Sequence, residues 1–373
     1  MYTTPFCTFA RAAAFLVFTL LLACVVQVQG ALAQKPLRLA IAGLVHGHVD
    51  GMLRPALERK DVEVVAIYEP KIELARQYAQ RYGLPNALFF TDLDKMLTIA
   101  KPDAVATFTN TFDHAMVVET CATHHIPVMM EKPLAVSMEH ARRIQAAAAR
   151  AGIPVIVNYE TTWYASYAAI WDLAKQQKAL GDIRKLVAMD GHQGPKEIGV
   201  GPDFLSFLID PKLNGAGALF DFGCYGANLM TWLMDNQRPI AVTAITQKFK
   251  PQIYAHVDDE ATIVVEYPKA QGIIQASWNW PTGRKDLEVY GATGYAIATG
   301  GGNLRVRLPG KGEETRALDA PPWRDALSYL IAVVRGETKP SGLSSLENNM
   351  IVTEILEAAL KSAQSGKRVV LPR

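Results

Sequence analysis

The sequence predicts an α/β chain in two parts: an N-terminal doubly wound parallel sheet (Rossmann type), then an α/β unit with a large, mostly antiparallel open sheet. Three observations carry this. Short apolar runs alternate with amphipathic stretches from residue 35 to 157, the pattern of right-handed strand–helix crossovers. Beyond residue 187 the runs turn β-rich and lie closer together. A length of 373 residues fits about two domains.

The first run, Leu37 to Leu44, contains Gly43, and a helical stretch follows to Arg59. Val62 to Tyr68 is the second run, and Lys71 to Tyr82 has helical spacing ending at Gly83. Further runs lie at Ala87 to Phe90, Ala104 to Phe108, Pro127 to Met130 and Val155 to Val157. Helices are expected at Thr91 to Ile99, His114 to Thr123 and Ser137 to Ala151. In the second part, Leu186 to Met189, Ala241 to Thr246, Ala261 to Glu266, Ile273 to Trp278, Leu287 to Tyr290 and Leu304 to Leu308 read as strands. Trp278 and Trp280 alternate, which places them on one sheet face, in the core or at a subunit contact. Gly300 to Asn303 is a turn. Helices close the chain at Pro322 to Arg335 and Ser345 to Ser365, the latter with a Ser344/Glu347 capping box and Gly366 as its stop.

Residues 1–33 have a different character. A single Arg11 precedes a nearly all-apolar run from Ala12 to Val26, and Ala31-Leu32-Ala33 supplies an A-x-A site. This reads as a cleaved secretory signal and an exported, periplasmic protein, with a lipoprotein anchor at Cys24 ranked second. The domains are then 34–157 and 158–373. Cys121 and Cys224 remain in the mature chain and read as two buried thiols. A formal charge of +2, falling to +1 without the leader, leaves no field to recruit nucleic acid and suits a small neutral substrate.

In a doubly wound sheet the ligand sits at the carboxyl ends of the strands. After the first run stands Gly43-Leu44-Val45-His46-Gly47-His48, a partial dinucleotide fingerprint with Val45 at the second glycine position. Gly43 can still make the tight turn and the next helix can still face a pyrophosphate. His46 and His48 are open to three roles: phosphate donors, substrate contacts or turn caps. No metal site is expected, since spacing places no third ligand beside them. Glu69 ends the second run, suits the ribose hydroxyls and favours NAD over NADP, although the adjacent Lys71 offsets that preference.

The fifth run ends in Glu131-Lys132-Pro133, and Gly215-Ala216-Gly217-Ala218-Leu219-Phe220-Asp221-Phe222-Gly223-Cys224-Tyr225-Gly226-Ala227-Asn228 follows in the second part. With the order of elements, these two motifs resemble the Gfo/Idh/MocA oxidoreductases over nearly all of the mature chain. Tyr225 and Asn228 stand where most members have His and Asp, which resembles the exported glucose-fructose oxidoreductase-like members. The resemblance implies NAD (or NADP), held tightly because soluble nucleotide is scarce outside the cytoplasm, and a homodimer or homotetramer. It also implies cofactor-side positions at Asn110 and His114.

The residues themselves support an oxidoreductase. If Asp221 opens a helix, Tyr225 and Asn228 share its face. Oxidising a secondary alcohol needs a hydride acceptor and a base. Tyr225 is assigned as acid/base, with its pKa lowered by Lys132; Lys132 also binds the reacting oxygen and Asp221 orients substrate. Tyr159, Trp163, His192, Gln193 and Asn228 are assigned to the sugar. Two other readings stay open: a redox-neutral, NAD-dependent glycoside hydrolase with an additional base from His192, His46 or His48, and a non-catalytic sensor of cofactor or sugar.

Overall fold

The computed structural model describes residues 35–372; the leader and its processing sites lie outside the described residues. No described helix is long and apolar enough to cross a membrane.

The first unit is a six-stranded sheet built from β1 (Leu37–Ala42), β2 (Val62–Tyr68), β3 (Phe89–Phe90), β4 (Ala104–Thr107), β5 (Val128–Glu131) and β6 (Val155–Asn158), in the order β3-β2-β1-β4-β5-β6. All its pairings are parallel. The central strands are apolar on both faces because helices cover both. Those helices are α1 (Val49–Glu58), α2 (Ile72–Tyr82), α3 (Leu93–Ala100), α4 (His114–Thr123) and α5 (Met138–Ala151). Their ends follow local chemistry: Asp92 and Ser137 cap the backbone amides of Lys95 and His140, and Gly83 and Gly152 end helices in the left-handed region.

After β6, α6 (Ala165–Trp171) continues into a π turn at Asp172–Gln176, and β7 (Ile183–Gly191) begins the second sheet. Four helices follow: α7 (Pro202–Leu208), α8 (Pro211–Asn214), α9 (Ala218–Asp221) and α10 (Gly223–Leu233). Then come β8 (Ala241–Gln247), β9 (Glu260–Glu266), β10 (Gln271–Ser277), β11 (Arg284–Gly291), β12 (Tyr295–Thr299), β13 (Asn303–Arg307) and β14 (Glu313–Thr315). The chain ends with α11 (Ala326–Val334), α12 (Leu346–Ser365) and β15 (Val369–Val370). The sheet runs β14-β13-β12-β11-β7-β10-β9-β8-β15; only β7 and β10 pair in parallel. Strands such as β13 alternate buried and exposed residues, so one face packs on helices and the other is open.

Among the boundaries that differ from the sequence reading, three have clear local causes. Asp221 ends α9 rather than opening a helix. The Asp258 carboxylate accepts the amides of Gly217 and Leu219 and so starts that turn early, while the Asp221 carbonyl accepts from Lys132 and Cys224. The cap of α12 is Ser345, which accepts the amide of Asn348; Ser344 is buried one residue outside. β10 stops at Ser277, so Trp278 and Trp280 lie in the connection beyond it. α11 returns to the first unit, where Leu327, Leu330 and Ile331 join the core beneath β1 and α1. Cys121 and Cys224 are free and buried.

Candidate active site

Two cavities lie at the carboxyl ends of the first sheet's strands. The smaller, about 160 Å³, brings together Gly43, Val45, Glu69 and Asn110. Gly43 adopts φ 85°, and a Cβ there would meet the Thr109 backbone at 2.7 Å, so only glycine lets β1 turn against β4. Glu69 is buried, and its two carboxylate oxygens accept the backbone amides of Leu44 (2.8 Å) and Lys71 (2.9 Å). Burial pushes its pKa up against those two bonds. Asn110 caps the following turn through the Asp113 amide.

The larger cavity, about 360 Å³, is lined by Gly47, His48, Lys132, His192, Asp221, Tyr225 and Lys285 among others. Lys132 follows β5 and Asp221 ends α9; their side chains form a buried ion pair of 2.5 Å. Burial opposes both charges, yet their mutual attraction wins: Lys132 is held above its ordinary pKa and Asp221 below. Trp278 Nε1 donates to the other Asp221 oxygen at 2.9 Å. Asp221 is therefore a holder of Lys132, with both carboxylate oxygens engaged, rather than a free substrate ligand.

Tyr225 is buried, with the Lys132 ammonium 5.1 Å and the Lys285 ammonium 4.8 Å from its ring centre. Lys285 is itself ion-paired with Glu160. The sequence reading expected Lys132 to lower the phenol pKa. In the structure burial dominates and raises it well above the ordinary value, because each nearby cation already has a carboxylate partner. Tyr225 rests as the neutral phenol.

His192 lies edge-on to Phe222 at 4.8 Å. Its Nδ1 accepts the Gly194 amide at 2.9 Å, which puts the ring proton on Nε2, and burial holds its pKa low. His48 Nδ1 meets the buried Glu131 carboxylate at 3.0 Å; Asn158 donates to the other oxygen, and Trp163 Nε1 donates to Asn158. Burial works against the Glu131 charge, and these neighbours outweigh it and lower its pKa. His46 sits behind, packed on Phe204 and His48 at 4.5 Å each, and is kept neutral by burial. Donor atoms of His46, His48 and Glu131 lie within 4.8 Å of one another. The third donor that spacing failed to place thus comes from the end of β5. Within the cluster His48 and Glu131 are hydrogen-bonded, and the charge of Lys132 adds to burial in keeping His46 neutral.

Other expected residues fall elsewhere. Asn228 is fully buried and donates to the Leu343 carbonyl (2.8 Å): three residues along α10 is about 4.5 Å further from the pocket. Tyr159 is fully buried behind Tyr225, edge-on at 5.5 Å. His114 is buried against the Leu134 carbonyl, and burial lowers its pKa to about 4. The Gln193 side chain is exposed, and its carbonyl accepts from Lys250. Trp163 lines a separate cleft. Sequence reasoning missed Lys285, Phe204 and the tie from Trp278 to Asp221. Lys285 carries no motif; it arrives because β11 pairs it with Asp190 of β7.

The strand order 3-2-1-4-5-6, the glycine turn and the acidic group ending β2 define a dinucleotide-binding fold. The chain belongs to the Gfo/Idh/MocA oxidoreductases: residues 37–159 match that oxidoreductase family's NAD-binding Rossmann fold and residues 173–297 its C-terminal domain. Among curated relatives, a trans-1,2-dihydrobenzene-1,2-diol dehydrogenase of Xenopus laevis is 28% identical over 224 residues, covering 58% of this chain and 61% of that protein. The Bos taurus protein of the same name is 26% identical over 61% of this chain and 63% of its own length. The matched region thus spans less than two thirds of these relatives. Solved structures with the same fold include an aldose-aldose oxidoreductase from Caulobacter crescentus complexed with glycerol (TM-score 0.75, 20% identity, 90% of this chain and all of that one). An inositol dehydrogenase homolog from Azotobacter vinelandii, complexed with NAD+, has a TM-score of 0.77 at 18% identity, covering 91% of this chain and 98% of that one.

The residues present fit a nicotinamide dinucleotide: Gly43 makes the tight turn at the end of β1, and with Val45, Glu69 and Asn110 it lines the cavity at that strand end. Gly43, Val45, Glu69, Asn110 and Lys132 would hold it.

Proposed function

We propose that the protein is an exported NAD(P)-dependent oxidoreductase that interconverts a hydroxyl and a carbonyl on a small neutral sugar or glycoside. NAD(P), when bound, supplies the hydride-transferring nicotinamide. The observation that carries the reading is that Lys132, His192 and Tyr225 line one pocket at the strand ends of the cofactor unit. The Lys132 ammonium gives hydrogen bonds to Asp221 Oδ1 and the Asp221 carbonyl, and its third N–H is left for the reacting oxygen. That contact stabilises the partly anionic oxygen as the hydroxyl proton leaves. Tyr225 carries the proton: as a neutral phenol it donates to the nascent alkoxide in reduction and must first deprotonate for oxidation. His192 offers Nε2–H to a neighbouring hydroxyl.

Export rests on the leader in the sequence, and tight nucleotide binding on the needs of a dehydrogenase outside the cytoplasm. The open sheet face, with Ile245 at 67% exposure, is the surface proposed for a homodimer or homotetramer.

One observation favours a second reading, redox-neutral glycoside hydrolysis. His48 lines the same pocket with Nδ1 fixed by Glu131, which leaves Nε2 as an additional base. Incubation with a free aldose and an aryl glycoside separates the two. A keto-sugar or aldonate product supports net oxidation. Released aglycone without net nucleotide reduction supports hydrolysis, and neither product removes both.

A further inference from the structure

Four of the chain's six tryptophans line a cleft that the catalytic pocket does not share. Its volume is about 710 Å³, within the size range of small-molecule sites. Trp171 and Trp232 stack at 5.8 Å with planes 9° apart, and Trp163 and Trp323 each meet Tyr329 at 5.6 Å. Flat apolar faces on their own would suit many ligands, but this cleft also carries hydrogen-bonding groups. Asp172, Asp235 and Asn236 lie along it, and Ser344, at 1% exposure, has a buried Oγ with no partner among the described residues. The buried Thr162 Oγ1, on another lining residue, also lacks a partner. Buried hydroxyls without partners are costly unless a ligand or water completes them.

We infer that this cleft is a second binding site, separate from the catalytic pocket, for a neutral mono- or disaccharide. Aromatic rings cover the C–H face of a pyranose, while carboxylates, an amide and hydroxyls take its hydroxyl groups. Asp235 is ion-paired with Lys175, whereas Asp172 has no cation partner among the described residues and accepts only from Gln177; that remaining charge disfavours a uronate or sugar phosphate, and the hydrogen-bonding groups set the cleft apart from a purely apolar docking surface. The inference stands on the cleft alone and holds whether or not the redox reading does.

The test is calorimetry and tryptophan fluorescence on the full mature chain, with glucose, maltose and cellobiose as probes. Trp323→Ala should weaken binding of the preferred probe at least tenfold, and Trp323→Phe, which keeps an aromatic face, should retain most of it. Dinucleotide affinity should be unchanged in both. Asn236→Gly is a second variant: φ at 236 is 58°, so glycine keeps the backbone and removes only the amide. It too should weaken binding, and it decides the matter if Trp323→Ala does not fold. The proposal is overturned if none of the three probes binds, or if binding is insensitive to Trp323→Ala and Asn236→Gly. It is also overturned if Trp323→Ala changes the sedimentation mass while leaving sugar binding intact, which would make the cleft a subunit contact.

Discussion

Lys132 and Asp221 form a buried ion pair across the junction between the two units, 2.5 Å from Nζ to Oδ1 and 89 residues apart in sequence. The pair joins the end of β5 to the end of α9, and Trp278 locks the carboxylate from the second sheet's side. The pocket's central cation is therefore fixed by the unit that does not carry it.

Removing one member leaves an uncompensated buried charge, at a cost of about 3–5 kcal/mol. Lys132→Met and Asp221→Asn should each lower the urea midpoint strongly. The double variant Lys132→Met/Asp221→Leu should recover much of the stability and none of the activity. Equal stability in all four proteins would show that the pair does not form.

Tyr225→Phe should reduce turnover about 100-fold or more while leaving sugar affinity within a few-fold. Because burial raises the phenol pKa, oxidation requires the rarer tyrosinate. The kcat/KM for sugar oxidation should accordingly climb with pH beyond the ordinary tyrosine range. A profile that levels off at neutral pH would contradict Tyr225 as the proton carrier.

Much of this was legible in the sequence, and the exceptions have physical reasons. The strands of the first sheet are continuous apolar runs because both faces are buried, and Gly43, Glu69 and Lys132 sit at strand ends that topology alone marks as the ligand edge. Helical spacing placed Asn228 beside Tyr225 but carried no information on depth, and the residue ends under the Leu343 loop. Trp163 follows the last strand as the sugar reading required, yet its ring turns to the far side of that segment, toward Tyr329. Lys285 and Trp278 act through partners 125 and 57 residues away, which no local pattern shows.

Asp190 sits fully buried on β7, with neither carboxylate oxygen hydrogen-bonded among the described residues, and burial raises its pKa well above the ordinary value. A raised folded-state pKa means its contribution is intact below about pH 4 and is lost as pH rises toward the folded value. Asp190→Asn should thus stabilise the protein at pH 7 and give little at pH 3, because the aspartate loses about 1.4 kcal/mol for every pH unit climbed between its unfolded and folded pKa. Urea unfolding at the two pH values checks this, and equal effects at both would show that the carboxyl is not strained.

Glu69 holds the amides of Leu44 and Lys71, and in the proposed cofactor site its charge would repel a 2′-phosphate. Glu69→Gln should shift the NADP/NAD affinity ratio toward NADP by about tenfold, equivalent to about 1.4 kcal/mol. Titration with both nucleotides reads the ratio, and an unchanged value would confine Glu69 to shaping the turn.

The most direct test is nucleotide binding by the purified protein, by mass spectrometry of released small molecules and titration of the stripped chain with NAD and NADP. One nicotinamide dinucleotide per chain is expected, with reduction of that nucleotide by a neutral sugar in the wild type but not in Tyr225→Phe. A stripped, folded protein that binds neither NAD nor NADP would contradict it.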